Sequence, residues 1–246
     1  MKSVLLSLNP SLRIIDISHE IEPRRVRSAA YTLWAVHRYL PEKTIFVSVV
    51  DPGVGGDREV LIAIADGKTY IAPDNGLLDF VLEDAARVSM YSLSLKKARP
   101  FLPKEVSRTF HGRDLFAPVA ARLAVGVSAA SLGVKKKFRR PLDWKVDGPG
   151  SKVPPAILSV DRFGNIITNI VTGPTGKGLT AVRAVSVGKV MISVPVVTFS
   201  TAPDNTPCMM SGSSGLLEVV VKDGNAASML RITDRSPIRV VWTETE

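Results

Sequence analysis

The densest chemical signal in the chain is VVDPGVGGDR (49–58), where an apolar run delivers Asp51 into a turn holding Gly53, Gly55 and Gly56. Ligands of open α/β sheets bind at the carboxyl ends of strands, and glycine lets a backbone approach a ligand closely. The plainer reading of the same residues is a tight structural turn capped by Asp51. A dinucleotide fingerprint is excluded, because the residues that follow read as a strand and not as a helix. The second signal is SRTFHGRD (107–114), which sets His111 and Gly112 at a predicted loop-to-helix junction beside Arg108, Arg113 and Asp114. An imidazole there suits proton chemistry near neutral pH, whereas the plainer reading is a helix-entry loop held by local ion pairs. His37 differs, since it falls on the apolar stripe of a helix and reads as a core or boundary residue.

Weaker signals lie elsewhere. SVDRFGNIITNI (159–170) projects Asp161 and Asn165 from a turn at Gly164, offering a carboxylate and an amide able to read a purine edge or an ammonium group. An ordinary turn would use the same residues. SGSSG (211–215), which includes Ser213, reads as a flexible turn or as an anion-binding nest of backbone N–H groups. Asp16, His19 and Glu20 in DISHE imitate a metal cluster but sit between a strand and a helix, where such residues satisfy free backbone donors. With three His and one Cys in the whole chain, no metal site is expected. The basic run KKKFRR (135–140) would suit nucleic acid, yet it carries one aromatic and reads better as a solvated linker face.

The elements that must position these residues follow from periodicity. Met1, Val4, Leu5 and Leu8 mark a helix ended by Asn9-Pro10, and LRIIDIS (12–18) is strand-like. Pro23 opens a long helix with Val26, Ala30, Leu33, His37 and Leu40 on one stripe. TIFVSVV (44–50) is apolar on both faces, as a buried parallel strand would be. EVLIAIA (59–65) and KTYIA (68–72) flank Asp66-Gly67, a strong hairpin signal. Asp74 or Asn75 can cap a helix carrying Leu77, Leu78, Val81 and Leu82, and a further helix is predicted from Asp114 to Ala124. Beyond residue 155 short strands alternate with Gly, Pro, Asn and Asp. The expectation is an α/β N-terminal domain with a mostly parallel sheet (1–138), a linker (139–155) and a smaller C-terminal β-barrel domain (156–246).

Composition bounds the function. The 246 residues are 45% hydrophobic and 22% charged, which excludes a disordered or fibrous chain. No apolar run reaches the roughly 18 residues of a membrane span. The lone Cys208 excludes a disulfide framework and fits a reducing, cytoplasmic compartment. The net charge of +9 permits a polyanionic partner without requiring one.

Taken together, DISHEI, VSVVDPGVGGDR, YIAPDNGLLDFV, TFHGRDLFAPVA, DRFGNIITNI and SGSSGLLEVVV resemble the S-adenosyl-L-methionine (SAM) hydroxide adenosyltransferases, the hydrolytic relatives of SAM-dependent fluorinases and chlorinases. The resemblance runs nearly end to end and in the expected order. It implies hydrolysis of SAM to adenosine and L-methionine by an α/β domain plus a β-barrel, in a homotrimer with active sites between subunits. By that resemblance Asp51, Arg58 and His111 are catalytic, Asp161 takes the methionine ammonium, Asn165 the adenine edge and Ser213 the methionine carboxylate. No cofactor is implied.

Fluorinating relatives carry Tyr where Asp51 and His111 stand and insert a long loop at the Ala65-Asp66-Gly67-Lys68 turn, so the resemblance points to water as nucleophile. Family members usually start with a strand and loop of the type TDFG-x-x-D-x-Y-V-G ahead of the segment matching MKSVLLSLNP. This sequence begins after that stretch, consistent with the strand that its opening helix lacks. Chemically, Arg58 stays charged and would stabilise a hydroxide-like nucleophile, with Asp51 orienting it. His111 is the better candidate for proton acceptor or relay. The rival readings are a SAM-dependent halogenase, a noncatalytic nucleoside- or RNA-binding protein and an inactive truncated paralogue.

Overall fold

The computed structural model describes residues 1–173, 175–233 and 235–243, and the chain divides into two compact units, Met1–Leu142 and Asp143–Glu246. In the first unit, strands β1 (Ile45–Val47), β2 (Val60–Ala65), β3 (Lys68–Pro73), β4 (Val88–Leu93) and β5 (Gly133–Lys136) form one sheet in the order β1-β3-β2-β4-β5. Asp66 (φ 45°) and Gly67 (φ 80°) both adopt left-handed backbone, the geometry of a two-residue hairpin turn that pairs Ala65 with Lys68. Strands joined so tightly must run antiparallel.

The β2–β4 and β4–β5 pairs are antiparallel too, and the β1–β3 pair is parallel. The sheet is therefore mixed, which corrects the expectation of a mostly parallel one. Strand VLIAIA is buried on nearly its whole length, and a doubly buried apolar run reads the same whichever way its neighbours point. LRIIDIS forms no strand. Leu12 and Ile14 pack on the core, while Ile15 and Ile17 are exposed and find no sheet partner.

Helices α1 (Lys2–Leu8), α2 (Val26–His37), α3 (Asp79–Asp84), α4 (Leu95–Ala98), α5 (Ala117–Ala124) and α6 (Ala129–Leu132) cover the sheet. Alternation along the strands assigns the faces. Ile62 and Ile71, paired in register, pack with Leu5 of α1 and Val119 of α5. Their neighbour Tyr70 turns the other way, stacks on Phe46 with ring centres 4.9 Å apart and meets His37 Nδ1 at 3.0 Å. His37 is thus a boundary residue whose pKa is lowered by burial first and by Lys68 second. Trp34 donates to Asp84 at 2.6 Å, fastening α2 to α3.

The basic run starts inside β5, where Lys135 pairs with Tyr91 and Lys136 with Met90. Lys136 forms ion pairs with Glu59 and Asp74, and Arg140 donates to the Glu83 and Ala85 carbonyls. It is thus sheet edge and helix cap, not a purely solvated face.

In the second unit, β6 (Ile157–Val160), β7 (Ile166–Val171), β8 (Val182–Val187), β9 (Val190–Ile192), β10 (Pro195–Val196), β11 (Cys208–Ser211), β12 (Leu216–Val220) and β13 (Ile238–Trp242) make two sheets, with α7 (Ala226–Met229) between β12 and β13. Their orders are β10-β11-β12-β7-β6 and β13-β8-β9. The expected closed barrel is corrected to two open sheets sharing one core of Ile166, Ile170, Val185, Val187, Leu217 and Val219. Strand alternation specifies a buried face but not whether a sheet closes on itself. Trp144 and Val146 are buried in this unit, and Val146 bridges to Ile170.

Candidate active site

Asp51 leaves β1 through Ser48, whose N–H bonds the Ile71 carbonyl at 3.0 Å, and enters the glycine turn. Arg58 sits just before β2, so the two ends of the turn bring a carboxylate and a guanidinium face to face. Arg58 Nε donates to both Asp51 oxygens at 3.0 and 2.9 Å, and Nη2 pairs with Oδ2. The side chains are 11% and 5% exposed. A charge-assisted, two-pronged bond in so dry a place fixes both groups. Phe116, fully buried, lies under the guanidinium with its ring centre 5.9 Å away.

His111 completes the group. Its Nδ1 lies 2.7 Å from Arg58 Nη2. Guanidinium can only donate, so Nδ1 must be the acceptor and the neutral ring carries its proton on Nε2. Burial lowers the His111 pKa, the Arg58 charge lowers it further, and Asp51 and Asp114 pull the other way. The Nδ1 lone pair of the neutral ring is engaged by Arg58 in this arrangement.

The segment that carries His111 is built locally. The Phe110 carbonyl accepts from both Arg113 N and Asp114 N, and Gly112–Phe116 form a π-helical turn leading into α5. Such wide turns recur at functional sites because they redirect side chains within a helix. Asp114, 5% exposed, accepts from Ser107 N at 2.8 Å and from Arg113 at 2.6 and 2.9 Å, and the Arg113 bond holds its carboxyl below the usual range. Gly55 joins the two segments: its φ is +81°, and a Cβ there would run into the Arg108 carbonyl. The 49–58 and 107–114 segments thus meet backbone to backbone. Neither motif announces that contact alone.

In the second unit Asp161 and Asn165 come together. Asp161 Oδ1 accepts from Phe163 N and Asn165 N, each at 2.9 Å, and Oδ2 accepts from Asn165 Nδ2 at 2.8 Å. A carboxylate can only accept from an amide, so the orientation of Asn165 is fixed with Oδ1 left over. Asn165 is 4% exposed, and its neighbour Phe163 is 73% exposed. Gly164 (φ +88°) packs on the side chain of Asn225, which caps α7 through a 2.7 Å bond from Ser228 N. Ser213 is exposed on the turn between β11 and β12. Glu218 of β12 lies against Gly212 of that turn.

Two side chains carry more than the sequence reading gave them. Asn75, read as a helix cap, accepts from Leu77 N through Oδ1 and in addition donates to the Val50 carbonyl at 2.9 Å. Glu218 carries no signal in the sequence, since an acidic residue in a strand looks like a solvent-facing one. The DISHE residues do not join either group: Asp16 bonds His19 at 3.0 Å and pairs with Lys2, all exposed. Among the described residues no group of three His, Cys, Asp or Glu is placed to hold a metal.

Family models match both units. The SAM hydroxide adenosyltransferase N-terminal domain covers residues 1–133 and its C-terminal domain residues 155–239. The chain belongs to this family. It is 36% identical to an (R)-S-adenosyl-L-methionine hydrolase from Thermus thermophilus, over 98% of this chain and 92% of that one. A fluorinase from Actinoplanes sp. is more distant, 29% identical over 69% of this chain and 65% of its own length. Among solved structures, a conserved protein from Thermotoga maritima superposes with a TM-score of 0.83 at 32% identity, covering 98% of this chain and 93% of that one.

Proposed function

We propose that this chain hydrolyses S-adenosyl-L-methionine to adenosine and L-methionine by attack of a hydroxide-like oxygen on ribose C5′. The observation that carries the reading is the Asp51–Arg58–His111 group, joined by hydrogen bonds in a member of this family. Asp51 and His111 engage Nε and Nη2 of Arg58, so Nη1 and the Nε2–H of His111 remain as donors toward a substrate oxygen. Water, with a pKa near 15.7, is a poor nucleophile. Two fixed donors, one cationic, favour its hydroxide form and cost no reorganisation during reaction.

The new bond joins that oxygen to C5′, the C5′–S bond breaks, and the electron pair leaves with sulfur to give a neutral thioether. The proton lost from water is released to solvent. Hydroxide and sulfonium lose their charges together, which a site sheltered from water favours. In the second unit, Asp161 would hold the methionine ammonium and Ser213 the carboxylate. Asn165 Oδ1 would accept from the adenine amino group. These roles rest on the family resemblance, supported by the forced orientation of the Asn165 amide. The protein works as a cytoplasmic homotrimer with active sites between subunits, and needs no cofactor.

The decisive experiment incubates the purified full chain with SAM and separates the products by chromatography. Adenosine and methionine in equal amounts are expected, in buffers with or without halide. Unconsumed SAM, or 5′-halo-5′-deoxyadenosine formed when chloride or fluoride is added, overturns the reading. A monomer by light scattering at micromolar concentration would overturn the trimer.

A further inference from the structure

We infer that Asn75 is a positioning residue for the catalytic group, holding Asp51 and Arg58 in register from the loop that follows β3. This inference rests on the proposed hydrolysis only for its kinetic part.

The loop Pro73–Gly76 runs between the two segments that carry the pair. On one side Asn75 Nδ2 donates to the Val50 carbonyl at 2.9 Å, one residue before Asp51. On the other, Asp74 N donates to the Glu59 carbonyl at 2.9 Å, one residue after Arg58. The loop is itself anchored. Asn75 Oδ1 accepts from Leu77 N at 3.2 Å, and Leu77 and Leu78 are 1% and 2% exposed. Gly76 has a φ of +90°, which lets the chain turn immediately after Asn75 into the buried leucines.

The physical need for such a clamp is plain. Asp51 lies beyond the last paired residue of β1, at the head of a turn with three glycines, where nothing in the sheet ladder fixes its backbone. The amide of Asn75 supplies the missing tie one peptide away. A displacement of about 1 Å at a reacting centre costs on the order of 10²-fold in rate. Asn75 touches none of the three catalytic side chains, so its effect must travel through Val50 to Asp51 and from there to Arg58 and His111.

The side chain has two duties, and substitutions separate them. Serine at 75 can still accept from Leu77 N and keep the turn, but is too short to reach Val50. Alanine loses both. Loss of the clamp predicts that Asn75→Ser and Asn75→Ala both lower kcat by roughly 10- to 100-fold with KM within about threefold of wild type. It also predicts that the His111 pKa climbs toward its ordinary value in both, because Arg58 no longer holds its charge against Nδ1. Asp51 and Asp114, the acidic groups facing that ring, are retained in both variants.

Side-chain NMR titration of the histidines, with His111 assigned through His111→Ala, reads this shift without any turnover. Wild-type kcat and an unmoved His111 titration in Asn75→Ser overturn the inference, as does a rise in KM equal to the fall in kcat. If Asn75→Ala does not fold, Asn75→Ser carries both measurements. A wild-type chain that leaves SAM intact overturns the functional reading instead, while the titration still decides the clamp.

Discussion

Each unit withdraws a carboxyl group from water, and the fold treats the two oppositely. Asp51 in the first unit meets a guanidinium through three contacts, with both side chains almost wholly covered. Glu218 in the second lies against Gly212 with no Lys or Arg paired to it among the described residues, and burial followed by the Asp161 charge pushes its carboxyl up to about 7. Burial alone favours the neutral acid, and only a partnered cation reverses that preference. The first unit thus gives its covered carboxyl group a guanidinium partner. The second keeps an acid that holds its proton into the neutral range.

The contrast breaks most visibly in catalysis. Arg58→Ala and His111→Ala are each expected to lower turnover about 10²-fold or more with the fold retained, because the proposed hydrolysis uses each as a donor toward the nucleophile. Arg58→Lys should fall nearly as far, since an ammonium cannot span Asp51 and His111 together. Full activity in any of these, with circular dichroism unchanged, would mean the Asp51–Arg58 pair is structural only. Turnover should also decline in acid as His111 protonates, since the cationic ring can no longer accept from Arg58. The midpoint lies below the ordinary imidazole value, as burial and Arg58 dictate.

A smaller effect sharpens what holds each site together. Gly55→Ala forces a side chain into left-handed backbone and against the Arg108 carbonyl, costing about 1–3 kcal/mol in thermal unfolding. Gly164→Ala forces the same left-handed backbone and drives its Cβ into the Asn225 side chain that caps α7, so its loss should be of similar size.

Glu218→Gln tests the second unit directly. A carboxyl raised from 4.5 to about 7 on folding contributes stability that is complete below 4.5 and lost as pH rises through 7. Wild type should match Glu218→Gln near pH 5 and fall behind it by about 1–2 kcal/mol at pH 8, allowing for solvent screening. Urea midpoints at the two pH values check this, and a constant difference would show Glu218 ionised throughout. Smallest of all, Lys136→Ala breaks pairs with Glu59 and Asp74 that are 34–44% exposed. It should cost under about 1 kcal/mol and less in high salt.

Much of the candidate site was legible as words in the sequence. The glycine turn after a buried strand gave Asp51, the loop-to-helix junction gave His111, and Asp66-Gly67 gave its hairpin. Asn75 was legible only as a cap, because a side-chain amide can satisfy a nearby N–H or a carbonyl 25 residues away and the sequence looks identical. LRIIDIS forms no strand because β-branched alternation needs a neighbouring strand to pair with, and none lies beside it among the described residues.

The sequence by itself determined which residue types could do chemistry, where the chain turns, and that it divides into two units. Those properties depend on residue type and on spacing over a few positions. Only the tertiary structure decided that the sheet is mixed, that the C-terminal strands form two open sheets, and that His111 accepts from Arg58 across 53 positions. Strand direction, sheet closure and the partner of a lone pair depend on which distant backbone arrives alongside, and no local pattern encodes that.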